Sequence, residues 1–231
     1  FSPRHFPHAR RLFICDGDAL IVPQQRLLAI LKQIEEKLPQ ITRVGIYANT
    51  KGLRMKTEGE LAQLREHGLG IAYMGLESGD DLTLAQMNKG ADAATMIAMG
   101  CKAKAAGIPL SLTVLLGIAG AERSHIHALE TGRVLSAIDP EYVGALSLMM
   151  EPGTELHRQV QAGAFVLPEP LAVLKELRTI IEHTTLSDGL FHANHASNYL
   201  PIRTKLPEEK DQTLALIDAA LAGNLALRPE Y

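Results

Sequence analysis

The sequence predicts an α/β fold built on a parallel sheet, arranged as a barrel or partial barrel. Five short apolar runs recur along the chain, and amphipathic helical patterns separate them. Because each run is continuously apolar and is followed by a helix, the strands fit a parallel sheet covered on its faces. No glycine-rich dinucleotide fingerprint follows any strand, and the units repeat evenly. Both observations favour a barrel over an open doubly wound sheet.

The apolar runs place the strands, and the spacing between apolar residues places the helices. Strands are predicted over residues 10–15 (RRLFIC), 43–48 (RVGIYA), 70–76 (GIAYMGL), 108–117 (IPLSLTVLLG) and 141–149 (EYVGALSLM). Helices are predicted over residues 24–38 and 57–68, the second opened by a Thr57/Glu60 capping box. A further helix begins near Asp92 and ends at Gly107, before a proline.

After Met149 the alternation of strands and helices ends. Helices are predicted over residues 154–162 and 171–183, followed by the polar loop SDGLFHANHASNYLPIRTKLPEEK and a last helix that ends near Ala222. We therefore expect a barrel over residues 1–154. Residues 155–231 are expected to form a helical C-terminal extension packed on the same domain.

Composition narrows the class of protein. The chain has 231 residues, of which 46% are hydrophobic, enough for one full core. Its net charge of −3 is not collected into blocks, so no nucleic-acid partner is indicated. The longest apolar stretch is too short for a bilayer, which takes roughly 18 to 20 residues, so no membrane span is expected.

The two cysteines, Cys15 and Cys101, fall within predicted regular elements. Two cysteines placed in this way are typical of a protein in a reducing compartment, so we expect a cytoplasmic protein. Cys101 is expected to be a small core residue. The first residues lack the apolar segment of a signal peptide and do not begin with Met. The chain is therefore expected to start inside a longer natural sequence.

Glycine and polar residues follow the predicted strands. The segments are CDGDAL, YANT, LESGDD, LLGIAGAE and MMEPGT. Turn chemistry alone explains any one of them, but in a parallel α/β fold the loops after the strands converge on the ligand. Glu77 at such a position can accept two hydrogen bonds from a ribose diol. Lys89, at the end of the next short helix, would place a positive charge at the same end of the sheet. The alternative is that Lys89 is a solvated residue at the helix end.

These motifs resemble the radical S-adenosylmethionine (SAM) superfamily, in the branch of the oxygen-independent coproporphyrinogen oxidases and Fe–S oxidoreductase-type proteins. The resemblance runs from Arg10 to about Thr154 and rests on FICDGDAL, GLESG with MNKG, LTVLLGIAGAE and EPGTEL. It implies a partial (β/α)6 TIM-like barrel of parallel strands, in which strands two to six are present and the first βα unit is absent.

The resemblance also implies which residues contact SAM. They are Gly17 and Asp18 at the methionine amino group, Glu77 at the ribose, Lys89 at the carboxylate, Thr113 and Gly117 at the adenosine, and Tyr47 and Asn49 at the third-strand position. In the coproporphyrinogen oxidase branch a Glu often occupies that third-strand position, so this chain departs from the pattern there.

The family's [4Fe–4S] cluster is held by three cysteines in a CxxxCxxC loop after the first strand. Neither Cys15 nor Cys101 can belong to such a loop, so the cluster ligands are expected upstream of Phe1 and the fragment alone is expected to be inactive. The implied activity is reductive cleavage of SAM to a 5′-deoxyadenosyl radical that abstracts hydrogen from an unidentified small molecule. A flavodoxin or ferredoxin would supply the electron. No metal ligand or catalytic residue is assigned within this chain.

The polar loop concentrates side chains that could bind a substrate. His192, Asn194, His195 and Asn198 are expected to contact a polar substrate on the open side of the barrel. The alternative is a hydrogen-bonded loop that closes the barrel, because buried polar loops need such partners. Two histidines without a nearby cysteine or carboxylate pair make a weak zinc site. His127 is expected at the surface.

Two other functions remain open. A TIM-barrel lyase or aldolase would need a Schiff-base lysine inside a strand or a glycine-rich phosphate loop, and the sequence indicates neither. A degenerate barrel that binds a nucleotide without catalysis would carry the same strand-end motifs.

Overall fold

The computed structural model describes residues 8–229. The expectation of a longer chain rests on the first residues of the sequence, and most of these lie outside the described residues. In this range seven strands form one sheet and follow one another in chain order. They are β1 (Arg11–Ile14), β2 (Arg43–Ala48), β3 (Leu69–Glu77), β4 (Leu110–Leu116), β5 (Tyr142–Ser147), β6 (Gly189–Ala193) and β7 (Ile202–Leu206). The sheet is mostly parallel, as the sequence predicts, and the class is α/β, of the partial TIM-like barrel type.

The helices alternate with the strands. They are α1 (Gln24–Lys37), α2 (Thr50–Arg54), α3 (Glu58–Glu66), α4 (Asp81–Gln86), α5 (Ala93–Ala105), α6 (Gly120–Ile138), α7 (Glu155–Gln161), α8 (Pro170–His183) and α9 (Lys210–Leu221), with a short 3₁₀ turn at Ala19–Ile21. The predicted helix bounds agree with these to within about two residues at most ends, which is the usual disagreement at helix termini.

The chain divides into two compact units. The first comprises residues 8–75 and Thr95–Leu112, and the second comprises Leu76–Ala94 and residues 113–229. The boundary expected after residue 154 stays a prediction.

The core of the first unit lies between its strands and helices. Strand β1 pairs in parallel with β2, and β2 pairs in parallel with β3. Helix α1 contacts α3 and buries Leu27 and Leu31, which are four residues apart and therefore on one helix face. The other face of the sheet carries Phe13, whose ring would lie 2.9 Å from a Cβ at Gly45. Glycine at that position therefore lets the aromatic ring lie directly on the β2 backbone.

The predicted capping box at the start of α3 is present. Glu60 N donates to Thr57 Oγ1 at 3.1 Å, and Thr57 N donates to Glu60 Oε2 at 2.7 Å. We expect Thr57→Ala to lower the free energy of unfolding by about 1 kcal/mol, because one of the helix's unpaired N–H groups loses its acceptor. Urea denaturation measures the change, and Thr57→Ser serves as the control that keeps the cap. Equal stability of the Ala and Ser variants would contradict the role of the cap.

The second unit is built on the packing of α6 against α8, with α9 lying against α8 and β7. Strand β5 pairs in parallel with β6, and β6 pairs antiparallel with β7. Burial alternates along β5: Val143 and Ala145 are buried, whereas the residues between them are partly exposed. One face of this strand therefore meets the helices, and the other is accessible.

Three expectations from the sequence are wrong. The segment expected to be a polar loop contains β6 and β7. The prediction failed because β6 has only five residues, among them Gly189 and His192, and because charged side chains alternate with buried ones in β7. Cys101 is exposed on α5 and is not a core residue. His127 on α6 is fully buried and is not a surface residue.

Candidate functional site

The first unit carries four of the residues expected at SAM. Gly17 is exposed in the loop after β1, whereas Asp18 is buried and accepts a hydrogen bond from Gly52 N, at 3.1 Å, in the first turn of α2. Burial raises the pKa of Asp18, against backbone hydrogen bonds that lower it. Among residues 8–229 the Oδ1 atom of Asp18 has no partner of hydrogen-bond geometry. This buried acceptor is compatible with the predicted contact to an amino group.

Asn49 and Tyr47 stand at the end of β2 with different surroundings. Asn49 is the N-cap of α2, and its Oδ1 accepts from Gly52 N at 3.0 Å, so its side-chain oxygen is engaged within the fold. Tyr47 is half exposed and packs edge-on against Phe13, with ring centroids 4.7 Å apart. Tyr73 on β3 lies 5.5 Å from Phe13 and completes an aromatic face in this unit.

Glu77, the last residue of β3, has an unusual backbone. Its φ is +62°, in the left-handed region that non-glycine residues rarely occupy. Such conformations cost free energy and cluster at binding sites, where the surrounding structure maintains them. The conformation turns the chain sharply where the buried strand opens, so the carboxylate stays partly exposed.

Lys89 and Glu77, both expected at SAM, form an ion pair. Lys89 Nζ lies 3.2 Å from Glu77 Oε1, and the two side chains are 22% and 21% exposed. In the described part of the chain, Glu77 Oε2 has no hydrogen-bond partner. One carboxylate oxygen and two ammonium protons therefore remain available to a ligand. Their contacts with SAM stay predictions.

The loop after Glu77 is held from beneath by helix α6. Ser78 is fully buried, and its Oγ lies 2.7 Å from His127 Nδ1 and accepts from Asp80 N at 3.0 Å. Gly79 N donates to Thr131 Oγ1 at 2.9 Å. A Cβ at Gly79 would collide with the α6 backbone at Glu130, so glycine is required for this close approach.

A buried carboxylate, Glu176 on α8, joins the ends of β3 and β4. Its Oε1 accepts from Gly117 N at 2.6 Å, and its Oε2 accepts from Ser124 Oγ at 2.5 Å. His127 Nε2 lies 3.4 Å from Oε1, which is within ion-pair distance but lacks the alignment of a hydrogen bond. The Ser78 hydroxyl can donate to or accept from Nδ1, according to the tautomer of the ring. This network explains why His127 is buried.

Asp80 fixes the same loop through Arg123 and α4. Arg123 donates from Nε at 3.1 Å and from Nη2 at 2.8 Å, and Thr83 N and Oγ1 donate at 3.0 and 2.6 Å. Burial raises the pKa of Asp80, but the hydrogen bonds from Arg123 and Thr83 outweigh burial and leave the pKa below its ordinary value. The ionised form is therefore the one that the fold stabilises.

We expect Asp80→Asn to lower the free energy of unfolding by about 1 kcal/mol at neutral pH, because Asn keeps the helix cap but loses the charge that Arg123 contacts. A lowered folded-state pKa adds stability above the unfolded-state pKa, and that stability is lost as the pH falls through the folded-state value. The difference in the free energy of unfolding between wild type and Asp80→Asn should therefore become smaller at acidic pH. Denaturation series at neutral and acidic pH measure it, and a gap independent of pH would contradict the linkage.

Thr113 lies in the middle of β4, and Gly117 directly follows the strand. Thr113 is partly exposed on the face of β4 opposite the buried Val114. Gly117 is buried with a φ of +83°, and its N–H is already engaged by Glu176. Its Cα can still line a pocket, but its amide donor is not available to a ligand.

The residues expected at the substrate separate into two groups. His192 and Asn194 lie two positions apart and therefore on one face, with His192 on β6 opposite Arg203 of β7 and Asn194 next after β6. With its amide oxygen turned toward β7, Asn194 accepts from Arg203 Nε and Nη2, each at 2.9 Å. Burial lowers the pKa of His192, and the charge of Arg203 lowers it further. This polar face is partly exposed.

The other two residues, His195 and Asn198, stabilise the loop between β6 and β7. Asn198 is buried; its Oδ1 accepts from Ser147 Oγ at 2.9 Å and its Nδ2 donates to Ala145 O at 2.8 Å. His195 is exposed, with Nδ1 2.9 Å from Ser197 Oγ. These contacts favour the hydrogen-bonded-loop alternative for both residues.

In the part of the chain that the structure describes, no three His, Cys, Asp or Glu side chains are grouped to hold a metal ion. Both cysteines are exposed, and two thiolates do not make the three-cysteine set of a [4Fe–4S] cluster, so these residues do not fit that group. None of the helices between residues 8 and 229 is long and apolar enough to cross a membrane.

No protein-family model matches the sequence, and no curated protein has a significant match to it. Solved structures with similar folds exist. The archaeal Methanocaldococcus infernus Elp3 with an N-terminal deletion is 12% identical, with a TM-score of 0.61 over 97% of this chain and 57% of that chain. Coproporphyrinogen III oxidase (HemN) from Escherichia coli, described as a radical SAM enzyme, is 15% identical, with a TM-score of 0.60 over 75% and 40%.

A third structure, TsrM from Kitasatospora setae, is a radical S-adenosylmethionine methyltransferase with cobalamin and a [4Fe–4S] cluster bound. It is 16% identical, with a TM-score of 0.53 over 69% of this chain and 32% of that chain. This chain therefore has the fold of radical SAM enzymes, which confirms the resemblance seen in the sequence at the level of fold. It spans less than two thirds of each of the three structures.

Sequence reasoning missed Glu176, Arg123 and Arg203. Glu176 looks like one of several acids on an amphipathic helix, and nothing in its local pattern marks it as buried. Arg123 follows the β4 motif by a few residues, and its position is typical of an exposed side chain in the first turn of a helix. Arg203 was detectable through the alternation of Ile, Thr and Leu with Arg and Lys in IRTKL, which is typical of a half-buried strand.

Proposed function

We propose that this chain is the SAM-binding part of a cytoplasmic radical SAM enzyme of the Fe–S oxidoreductase type. The observation that carries the proposal is the pair Glu77–Lys89 at the end of β3. Glu77 has a left-handed conformation, and one of its carboxylate oxygens has no partner among residues 8–229. Bound SAM, reduced by one electron, would supply a 5′-deoxyadenosyl radical for hydrogen abstraction from a small molecule. The fold shared with radical SAM enzymes supports this class of chemistry.

The residues of this chain would bind and orient SAM. Glu77 Oε2 would accept hydrogen bonds from the ribose hydroxyls, and Lys89 would contact the carboxylate while keeping its ion pair. The hydrogen bonds of Ser78 and Gly79 to α6 would hold the Glu77 loop in position.

The proposal requires cluster ligands outside this chain, since the sequence contains only two cysteines. It also requires a reductant, for which a flavodoxin or ferredoxin is the proposed partner. These components belong to the full-length protein and its surroundings, so activity must be tested there.

The structure weakens the aldolase alternative. Lys205 does lie inside a strand, β7, although the sequence did not predict that strand. Hydrogen bonds to Glu208 and Asp188 raise the pKa of Lys205, whereas an amine that forms a Schiff base at neutral pH needs a lowered pKa. Lys205 is therefore unsuited to that role.

The full-length protein, reconstituted anaerobically with iron and sulfide, tests the proposal. SAM and a chemical reductant should yield 5′-deoxyadenosine, and omission of the reductant should abolish it. Binding of SAM without cleavage would favour the non-catalytic nucleotide-binding barrel. Absence of both binding and cleavage would refute the proposal.

A further inference from the structure

The accessible face of β6 and β7 in the second unit carries two cationic side chains, of which one has no acidic partner among residues 8–229. Lys205 on this face is neutralised by Asp188 at 3.1 Å and Glu208 at 2.9 Å. Arg203 is exposed, and within residues 8–229 its guanidinium forms no ion pair; its contact is the neutral amide of Asn194. An arginine on a strand without an acidic partner can still form an ion pair with a bound anion.

Asn194 fixes the direction of the Arg203 guanidinium. The two hydrogen bonds from Nε and Nη2 engage one edge of the planar group and leave Nη1 without a partner in the described chain. A guanidinium held in this way loses little conformational freedom when it binds an oxyanion, and its fork suits a carboxylate or a phosphate. The guanidinium of Arg203 is therefore already oriented for binding an anion.

A second donor and an open space lie beside Arg203. His192 is its direct cross-strand partner, and the imidazole has no hydrogen-bond partner among the described residues. On the other side of His192, β5 places Gly144, and a Cβ built there would meet nothing within 4 Å. The missing side chain leaves room for a ligand group next to the imidazole.

We propose that Arg203, oriented by Asn194 and joined by His192, binds an anionic oxygen group, a carboxylate or a phosphate, of the substrate. The inference deepens the proposed function and rests on it, because it names the group by which that enzyme's substrate is held. The burial and the Arg203 charge that disfavour protonation of His192 would be offset by such an anion, so binding should raise the pKa of His192. The other titratable groups on this face are Lys205 with its acids and Tyr142 of β5.

Direct titration tests this site without SAM or a cluster. Inorganic phosphate and, separately, acetate are added to the full-length protein labelled at its histidine rings, at constant ionic strength maintained with chloride. Nuclear magnetic resonance then follows the His192 signal, assigned with His192→Gln. Phosphate or acetate should raise the pKa of His192, and the anion that binds more tightly identifies the source. Absence of binding by both anions would overturn the proposal.

Three variants make the test specific. Arg203→Gln should weaken anion binding about fivefold to tenfold, whereas Arg158→Gln, an exposed helix arginine paired with Glu155, should leave it unchanged. Gly144→Val fills the space beside His192 without altering charge and should also weaken binding. Equal affinity of wild type and Arg203→Gln, or of wild type and Gly144→Val, would overturn the geometry. SAM is also titrated into the same samples. If SAM binds and the anions do not, this inference fails and the proposed function stands. If SAM does not bind, the proposed function itself fails.

Discussion

Glu176→Ala is expected to lower the free energy of unfolding by about 3–5 kcal/mol, the range seen when one member of a buried charged network is removed. The loss would leave Gly117 N–H and the Ser124 hydroxyl without their acceptor inside the protein, and it would remove the carboxylate that lies 3.4 Å from buried His127 Nε2. Each buried polar group left unsatisfied carries a desolvation cost. Urea denaturation followed by circular dichroism gives the change, with the slope checked for two-state behaviour.

The same helix provides a matched control. Glu182 is exposed and pairs with Arg178 at 2.8 Å, so Glu182→Ala should change stability by no more than about 0.5 kcal/mol. Glu176→Gln keeps the shape and one acceptor oxygen and should lie between the two, so it remains measurable if the Ala variant does not fold. A loss below about 1 kcal/mol for Glu176→Ala would contradict the role assigned to the network.

Glu77→Gln is expected to weaken SAM binding by the full-length protein about tenfold or more. Hydrogen bonds to a charged acceptor are typically worth about 1.5–3 kcal/mol, and Gln removes the charge while turning one acceptor into a donor. Lys89 also loses its ion pair, so its contact with the methionine carboxylate would be less well oriented. The fold should survive, since the Glu77 side chain is 21% exposed at a strand end.

Titration of SAM into both forms measures the effect, with Glu122→Gln as the control. Glu122 is exposed in the first turn of α6, and its side chain takes part in none of the hydrogen bonds described for the Glu77 loop. Its substitution should leave the affinity unchanged. Equal affinities for wild type and Glu77→Gln would overturn the assignment of this loop to the ribose.

Local rules predicted the first part of the fold well. The bounds of β2 coincide with the prediction, and the capping box at Thr57 is present, because both depend on residues adjacent in sequence. The same rules failed for β6, whose five residues include Gly189 and His192, and the alternation of buried and charged residues in β7 was not read as a strand. Pairing with β5 supplies the stability of β6, and no local pattern reports that pairing.

The candidate site was predictable only in part. Glu77 and Lys89 were found because a strand end and a helix end are recognisable in sequence. The buried network around His127 was not found, since the burial of Glu176 depends on the packing of α8 against α6. Cys101 was misjudged for a related reason: α5 is rich in Ala and Met around its circumference, so the sequence does not reveal which face is exposed.

The backbone of Glu77 also has a consequence for protein engineering. Glycine or asparagine adopts a φ of +62° at lower cost than glutamate, so either would relieve local strain at this position. A variant library selected only for heat resistance would therefore be expected to replace Glu77. Such a selection would enrich proteins that are more robust and lack the carboxylate, so selection for stability alone would erase the feature that most clearly suggests a ligand.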